Sequence, residues 1–262
     1  MSTETYYRDH WVDIDTQRLA TYQQMFQWHP AMEPLLAAAD IRAGHTVVDY
    51  GCGPGGLALE LARRVETAGH VHGIDLNAAF VTLARTNLAA AGFANRATIH
   101  HITNDSIPLG NDSADRLVCK NVLEYVTDYA AVIAEFYRVV KPSGIAHIID
   151  SDWGMIAVEP LGQGKLAELL DAARCAYHTP LIGRVLYSEM KKVGFRDVKV
   201  QIIASPDTRG RILPVLNNMV TYARVGGMAP ERADALLAEI HAAVADGTFM
   251  MVLPQFLVTA IK

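Results

Sequence analysis

From residue 46 onward the chain alternates between two hydrophobic rhythms. Short β-branched and apolar runs bounded by turn residues predict strands, and apolar positions three and four apart predict helices. "TVVDY" is the first strand, followed by a helix over 57–65 with Leu57, Leu61 and Val65 on one face. "HVHGIDL" is the second strand, and "NAAFVTLARTNLAAAG" is a helix with Asn77 as N-cap and a stop at Gly92. "ATIHHIT" and "ADRLVCKN" are the third and fourth strands. "DYAAVIAEFYRVVKPSG" is a helix ended by Pro142 and Gly144, and "IAHIIDSD" is the fifth strand. Strands and helices alternating at this spacing predict right-handed crossovers and a doubly wound parallel α/β sheet.

The flanks read differently. The first 45 residues are helical, with "TQRLATYQQMFQWHP" and "AMEPLLAAADI" punctuated by Pro30. After the fifth strand the alternation loosens. "PLGQGKLAELLDAARCAYH" and "RVLYSEMKKVGF" predict helices, "DVKVQIIAS" a strand, and 212–245 mostly helix. "FMMVLPQFLVTAIK" closes the chain as one strand or two pieces, with Pro254 arguing for an edge or a bulge.

Composition narrows the partners. The 262 residues are 51% hydrophobic and 19% charged, with a net charge of −5 and no basic block, so a nucleic-acid partner is not expected. Cys52, Cys119 and Cys175 are odd in number and show no paired spacing, which fits a reducing compartment. The N-terminus has no apolar signal-peptide core, and no run is long enough to span a membrane. A soluble cytoplasmic protein is expected.

The densest chemical signal is "DYGCGPGG", where the first strand drops into glycine-rich backbone that opens a helix. Gly51, Gly53 and Gly55 remove side chains where backbone must turn tightly and touch a ligand. Asp75 ends the second strand roughly 20 residues on, the spacing of an acid that grips ribose hydroxyls. Two cofactor classes share this geometry. A dinucleotide pyrophosphate wants helix-terminal N–H groups and no nearby anion. S-adenosylmethionine carries no phosphate but does carry an ammonium and a sulfonium. A carboxylate at Asp49 would repel the first and suits the second, so S-adenosylmethionine is the expected cofactor and a nicotinamide oxidoreductase is not.

"VVDYGCGPGG", "GIDLN", "NVLEYV" and "RVVKPSG" resemble, in order and spacing, successive motifs of class I S-adenosylmethionine-dependent methyltransferases, in the ubiquinone/menaquinone-biosynthesis-like (type 11) group. The resemblance covers about residues 45–152. It implies a Rossmann-like seven-stranded sheet with an antiparallel last strand. It also implies a lid over 1–44, a cofactor-binding core over 45–152, and over 153–262 the rest of the sheet with helical substrate-cap insertions. By the same resemblance Asp49, Gly51 and Gly53 line the methionine end of the cofactor, Tyr50 and Gly55 also bind the cofactor, and Asp75 takes the ribose. Leu76 lies against the adenine, and Cys119, Lys120 and Asn121 lie along the methionine side. The family's acid after the third strand falls on Asn104 or Asp105, with Asp105 preferred, although an ungapped match places Thr103 there.

Methyl transfer is an in-line displacement in which the protein supplies alignment, and a base is needed only for a protonated nucleophile. No "NPPY"-type motif follows the fourth strand, which by family analogy argues against nucleobase methylation. Tyr6, Tyr7, Trp11, Tyr22, Phe26 and His29 make the N-terminus dense in aromatics: a lid with His29 as a base, or a helix packing aromatics on the core. Glu124 and Tyr125 are candidates to face the cleft or to start a solvated helix. Trp153 is placed to stack on a planar substrate or to cover the sheet edge, and Tyr177 and His178 to line the pocket. Arg184 reads as a structural ion pair more readily than as an anion site. His100 and His101 point to opposite faces, and His70 and His72 lack a third neighbour in sequence, so no metal is expected. Met219, Met228, Met250 and Met251 read as core packing. The expected activity is methyl transfer to an O, N or C nucleophile of a small, mostly apolar metabolite. The alternatives are an S-adenosylmethionine-binding protein that transfers no methyl, or an RNA or protein methyltransferase. An exposed apolar cap would favour a homodimer.

Overall fold

The computed structural model describes residues 2–262. Strands β1 (Thr46–Tyr50), β2 (His70–Asp75), β3 (Ala97–His101), β4 (Ala114–Lys120) and β5 (Val140–Ser151) pair in parallel. The sheet is completed by β7 (Arg196–Ile203) and β9 (Gln255–Ile261), and its order is β3-β2-β1-β4-β5-β9-β7. Only β9 runs antiparallel to both of its neighbours, so the doubly wound sheet with an antiparallel last strand is present. Strand order reverses at β1, which opens a crevice above the carboxyl ends of β1 and β4.

Helices cover both faces. On one face α6 (Tyr129–Val139) and α8 (Ile182–Val193) bury Phe136, Ile133, Leu186 and Met190 against Leu117, Ile148 and Val258. On the other, α4 (Gly56–Arg64) and α5 (Ala78–Ala90) bury Leu61, Val81 and Leu88 against Val47, Val71 and Val118. Local signals place the helix starts: Asn77 Oδ1 accepts from the Phe80 N–H at 2.9 Å, and Asp128 Oδ1 from the Ala131 N–H at 2.9 Å.

A third core lies under the cap. Helices α1 (Tyr6–Val12), α7 (Gly162–Ala172), α9 (Leu213–Val225) and α10 (Pro230–Asp246) gather around Trp153, Leu169, Tyr177, Leu216, Met219, Tyr222, Ile240 and Met251. Met219 and Met251 are fully buried there and Met228 packs beside them, whereas Met250 is exposed. The remaining N-terminal helices are α2 (Thr16–Met25) and the single turn α3 (Glu33–Leu36). Buried His147 on β5 holds this segment to the sheet, with Nε2 2.7 Å from the Leu35 carbonyl and Nδ1 2.7 Å from Thr259 Oγ1.

Three expectations are corrected. The helix before β5 stops at Val139, because Val140 already pairs with Ala114. The ladder then resumes with Ile145 against Arg116, so Pro142 and Gly144 sit in a bulge where Pro142 needs no ladder N–H. Pro254 marks neither an edge nor a bulge. It separates β8 (Met250–Val252), which pairs with the unanticipated β6 (Ala157–Glu159), from β9 in the main sheet. The third strand stops at His101 rather than continuing to Thr103.

Phe136 is fully buried, with its ring edge-to-face on Tyr50 at 5.1 Å. Phe136→Ala should cost about 3–5 kcal/mol of unfolding free energy, read as a lower urea midpoint at unchanged slope; a loss under about 1 kcal/mol would contradict this packing.

Candidate active site

The crevice above β1 and β4 is the mouth of a cavity of about 720 Å³. Three layers build it: the turn after β1, the strand ends of β2, β4 and β5, and a roof from the N-terminal helices and the cap.

In the turn, the N–H groups of Gly51 and Cys52 both donate to the Ile74 carbonyl, at 2.8 and 3.0 Å. Gly51 has φ +76°, and a Cβ there would lie 2.2 Å from Val122 Cγ2. Only glycine allows this backbone to lie so close to the turn after β4. Asp75 fixes the next residue, since its Oδ2 accepts from the Gly53 N–H at 2.7 Å and its Oδ1 from the Asn77 N–H at 2.8 Å. Burial still raises its carboxyl to about 6, against the pull of these N–H donors.

Asp49 is the unusual group. It is 1% exposed, and its Oδ2 has no hydrogen-bond partner among the described residues. Burial, and then the nearby Asp75, push its carboxyl up to about 7, with Lys120 pulling the other way. An unpartnered buried acceptor at the cavity wall is costly, and a cationic ligand would satisfy it. Lys120 Nζ is turned to Asn121 Oδ1 at 3.0 Å.

Deeper in, Glu124 is buried and its Oε2 accepts from Trp153 Nε1 at 2.6 Å. Burial and then Asp150 hold its carboxyl well above the usual range. Asp150 positions the turn that carries Glu124, accepting from the Val122 and Leu123 N–H groups at 3.3 and 3.0 Å. Tyr125 stacks on Tyr177, with ring centres 5.6 Å apart, and meets Trp11 edge-on at 5.0 Å. Tyr22 stacks on Phe26 at 5.2 Å, and its hydroxyl takes N–H groups from Arg18 at 3.2 Å and Asn218 at 3.4 Å.

Asp49, Tyr50, Gly51, Gly53, Asp75, Leu76, Asp105, Lys120 and Asn121 all border the cavity, as do Tyr22, Phe26, Glu124, Tyr125, Trp153 and Tyr177. Five expected residues do not. His29 is exposed and accepts from the Ala31 N–H at 3.1 Å, capping a short turn. His178 is exposed beside Thr179 and Tyr7. Asn104 accepts from the Ser106 N–H within its own loop. Cys119 alternates away into the core between β4 and α6. Gly55 faces α5, where an added Cβ would meet Ala84 at 3.0 Å. Thr103 is tied outside the cavity lining, where its carbonyl accepts from Arg8 at 3.4 Å. Arg184 pairs with fully buried Asp152, the structural role expected of it. His100 joins His72 at 3.1 Å, a neighbour invisible in sequence order, yet no group of three or more His, Cys, Asp or Glu among the described residues is arranged to hold a metal.

Sequence reasoning missed Asn77 as more than a cap. Its Nδ2 donates to the Trp11 and Val12 carbonyls at 2.7 and 3.2 Å, latching α1 over the cavity. It also missed Asp150 and the loop after β7, whose Arg209 and Arg211 border the cavity. Asp150 stood beside the more conspicuous Asp152, and the latch joins segments 65 residues apart, beyond any local pattern.

A family model described as a methyltransferase domain matches residues 41–194, more than half of the chain and all five parallel strands. The chain belongs to this family. It is 31% identical over 104 residues to the ubiquinone/menaquinone biosynthesis C-methyltransferase UbiE of Geotalea daltonii, covering 40% of this chain and 44% of that one. It is 32% identical over 138 residues to the dimethylglycine N-methyltransferase of Parasynechococcus marenigrum, covering 52% and 47%. The chain therefore spans less than half the length of these relatives. Among solved structures, the Haemonchus contortus phosphoethanolamine N-methyltransferase 2 in complex with S-adenosyl-L-methionine shares the fold, with a TM-score of 0.65 at 18% identity over 100% of this chain and 60% of that one. No helix among the described residues is long and apolar enough to cross a membrane.

Asp49 and Asp75 hold protons in the folded chain at pH values where the unfolded chain has lost them. Their folded values, about 7 and about 6, lie above the ordinary 3.8. Stability from this source is full below about pH 4 and is lost as pH rises through about 7. Relative to Asp49→Asn, the unliganded wild type should lose unfolding free energy across that window in a series of urea titrations. A difference independent of pH would show that Asp49 titrates normally.

Proposed function

We propose that the chain is an S-adenosylmethionine-dependent methyltransferase acting on a small molecule. The observation that carries this reading is the unpartnered, buried Asp49 Oδ2 beside a glycine turn at the sheet's switch point. A pyrophosphate has no use for an anion there, whereas an ammonium does. Asp49, the Gly51–Gly53 backbone and Asn121 would hold the amino-acid end of the cofactor, Asp75 the ribose, and Leu76 and Asp105 the base. When bound, the cofactor supplies an electrophilic methyl group on a sulfonium.

Five aromatic residues also line the cavity: Trp11, Tyr22, Phe26, Trp153 and Tyr177. These rings would exclude water and hold an apolar acceptor against the donor, and holding two reactants in line accounts for most of the acceleration such a displacement needs. Glu124 is the polar group placed to meet the acceptor nucleophile. With its carboxyl raised by burial, it would accept the nucleophile's proton only after losing its own, so turnover of a protonated acceptor should rise with pH. The segment 1–44 and the α7, α9 and α10 helices form the substrate cap in this reading. The acidic net charge of −5 argues for a metabolite over RNA.

Incubation with methyl-labelled S-adenosylmethionine and a cell extract should place label in the low-mass fraction. Label in RNA or protein would reverse the substrate class, and bound cofactor without transfer would favour the non-methylating alternative. Asp75→Ala should weaken S-adenosylhomocysteine binding about tenfold or more, the scale of losing a charged hydrogen-bond acceptor; unchanged affinity in calorimetry would remove the ribose assignment. Glu124→Gln keeps an acceptor for Trp153 and should lower kcat about a hundredfold with cofactor affinity unchanged; a kcat within twofold of wild type would exclude a role for the carboxyl in proton transfer.

A further inference from the structure

We infer that the cavity binds an anionic group, a carboxylate or a phosphate monoester, carried on an apolar substrate body, through Arg209 and Arg211. The inference rests on the reading of this cavity as a small-molecule site. The loop between β7 and α9 borders the cavity with Ser205, Pro206, Asp207, Thr208, Arg209 and Arg211. In the sheet order, β7 stands five strand positions from β2, which ends in Asp75. The two arginines therefore follow the edge strand remote from β2, whereas the other basic residues of the lining, Arg8 and Lys120, lie beside Thr103 and Asp49.

The loop is built to hold a fixed shape. Asp207 pairs with Met251 through both backbone groups, at 2.8 and 2.9 Å. Its carboxylate accepts from the Arg209 N–H at 2.9 Å and the Ile212 N–H at 2.8 Å. The only acid in the loop is thus engaged with backbone N–H groups on both oxygens. Among the described residues neither Arg209 nor Arg211 forms a salt bridge or a side-chain hydrogen bond, whereas Arg138, Arg184, Arg224 and Arg232 all pair with carboxylates. Two unpaired guanidiniums on a pinned loop, in a chain of net charge −5, make a local basic rim against the overall charge. Guanidinium suits planar or tetrahedral oxyanions because its N–H groups form a rigid fork. The same lining includes apolar Ile212, Val215 and Leu253 with Tyr222. A ligand matching both surfaces has an oxyanion head and a hydrophobic body.

Three probes share one aromatic body: 2-naphthoate, 2-naphthyl phosphate and the neutral 2-naphthalenemethanol. Calorimetry on the full chain, with and without S-adenosylhomocysteine, should show an anion bound about tenfold or more tighter than the alcohol. The preferred anion tells a carboxylate head from a phosphate one. Arg209→Gln/Arg211→Gln should abolish the preference while S-adenosylhomocysteine binds as in wild type, and Arg209→Lys/Arg211→Lys should keep part of it. Absence of any preference in wild type, including no measurable binding of all three probes, overturns the inference. So does a preference that survives the double glutamine variant. Weaker S-adenosylhomocysteine binding in that variant would assign the arginines to the cofactor's own carboxylate, and also overturns it. A wild-type chain that fails to bind S-adenosylhomocysteine at all would instead remove the cofactor reading, while the probe preference measured without cofactor still decides the anion site.

Discussion

The Asp75 carboxylate is the junction on which the cavity depends. One oxygen holds the Gly53 N–H and the other the Asn77 N–H, so a single side chain sets the glycine turn against the start of α5. Asn77 then passes the constraint outward, capping α5 through its oxygen and latching α1 through its amide nitrogen. Turn, helix and roof are registered to one another through the side chains of Asp75 and Asn77. A buried carboxylate has lone pairs beyond those two N–H donors, which leaves capacity for a hydroxyl-bearing ligand at the same point.

The site is an economy of buried acids. Asp49, Asp75, Glu124 and Asp150 are all buried at the carboxyl ends of neighbouring strands or just beyond them, and each is raised above its ordinary range by loss of water. They differ in how they are satisfied. Asp75 and Asp150 accept backbone N–H groups and organise turns, and Glu124 accepts an indole N–H. Of these four, Asp49 alone keeps a buried oxygen without a partner among the described residues. Groups that fold the chain have their partners inside it. The one that lacks a partner is the one best placed to take a cation, and this difference separates scaffold from site among residues of identical chemistry.

Much of this was legible in order along the chain. The five parallel strands, the glycine turn, Asp49 and Asp75 follow from local periodicity and from spacing within about 30 residues, because a βαβ unit is itself a local object. The signal failed where a residue's role depends on what meets it from elsewhere. His29 sits among cap aromatics in sequence but turns out to solvent as a turn cap, and Cys119 follows the strand's alternation into the core. Pro142 reads as a helix stop in isolation, yet the pairing of Val140 with Ala114 draws it into a strand bulge.

The sequence by itself determined the sheet's parallel half, the conformation that Gly51 must adopt and the acid that Asp49 brings to the turn. Each is a property of a few consecutive residues, their side-chain volume, branching and charge. Tertiary structure decided which acid is left without a partner, that the loop after β7 borders the cavity, and that α1 closes over it through Asn77. Those outcomes depend on contacts between separate segments, from Asp75 with Gly53, 22 residues apart, to Asn77 with Val12, 65 apart. A hydrogen bond across that distance is set by the packing of whole elements, and no pattern within either segment encodes it.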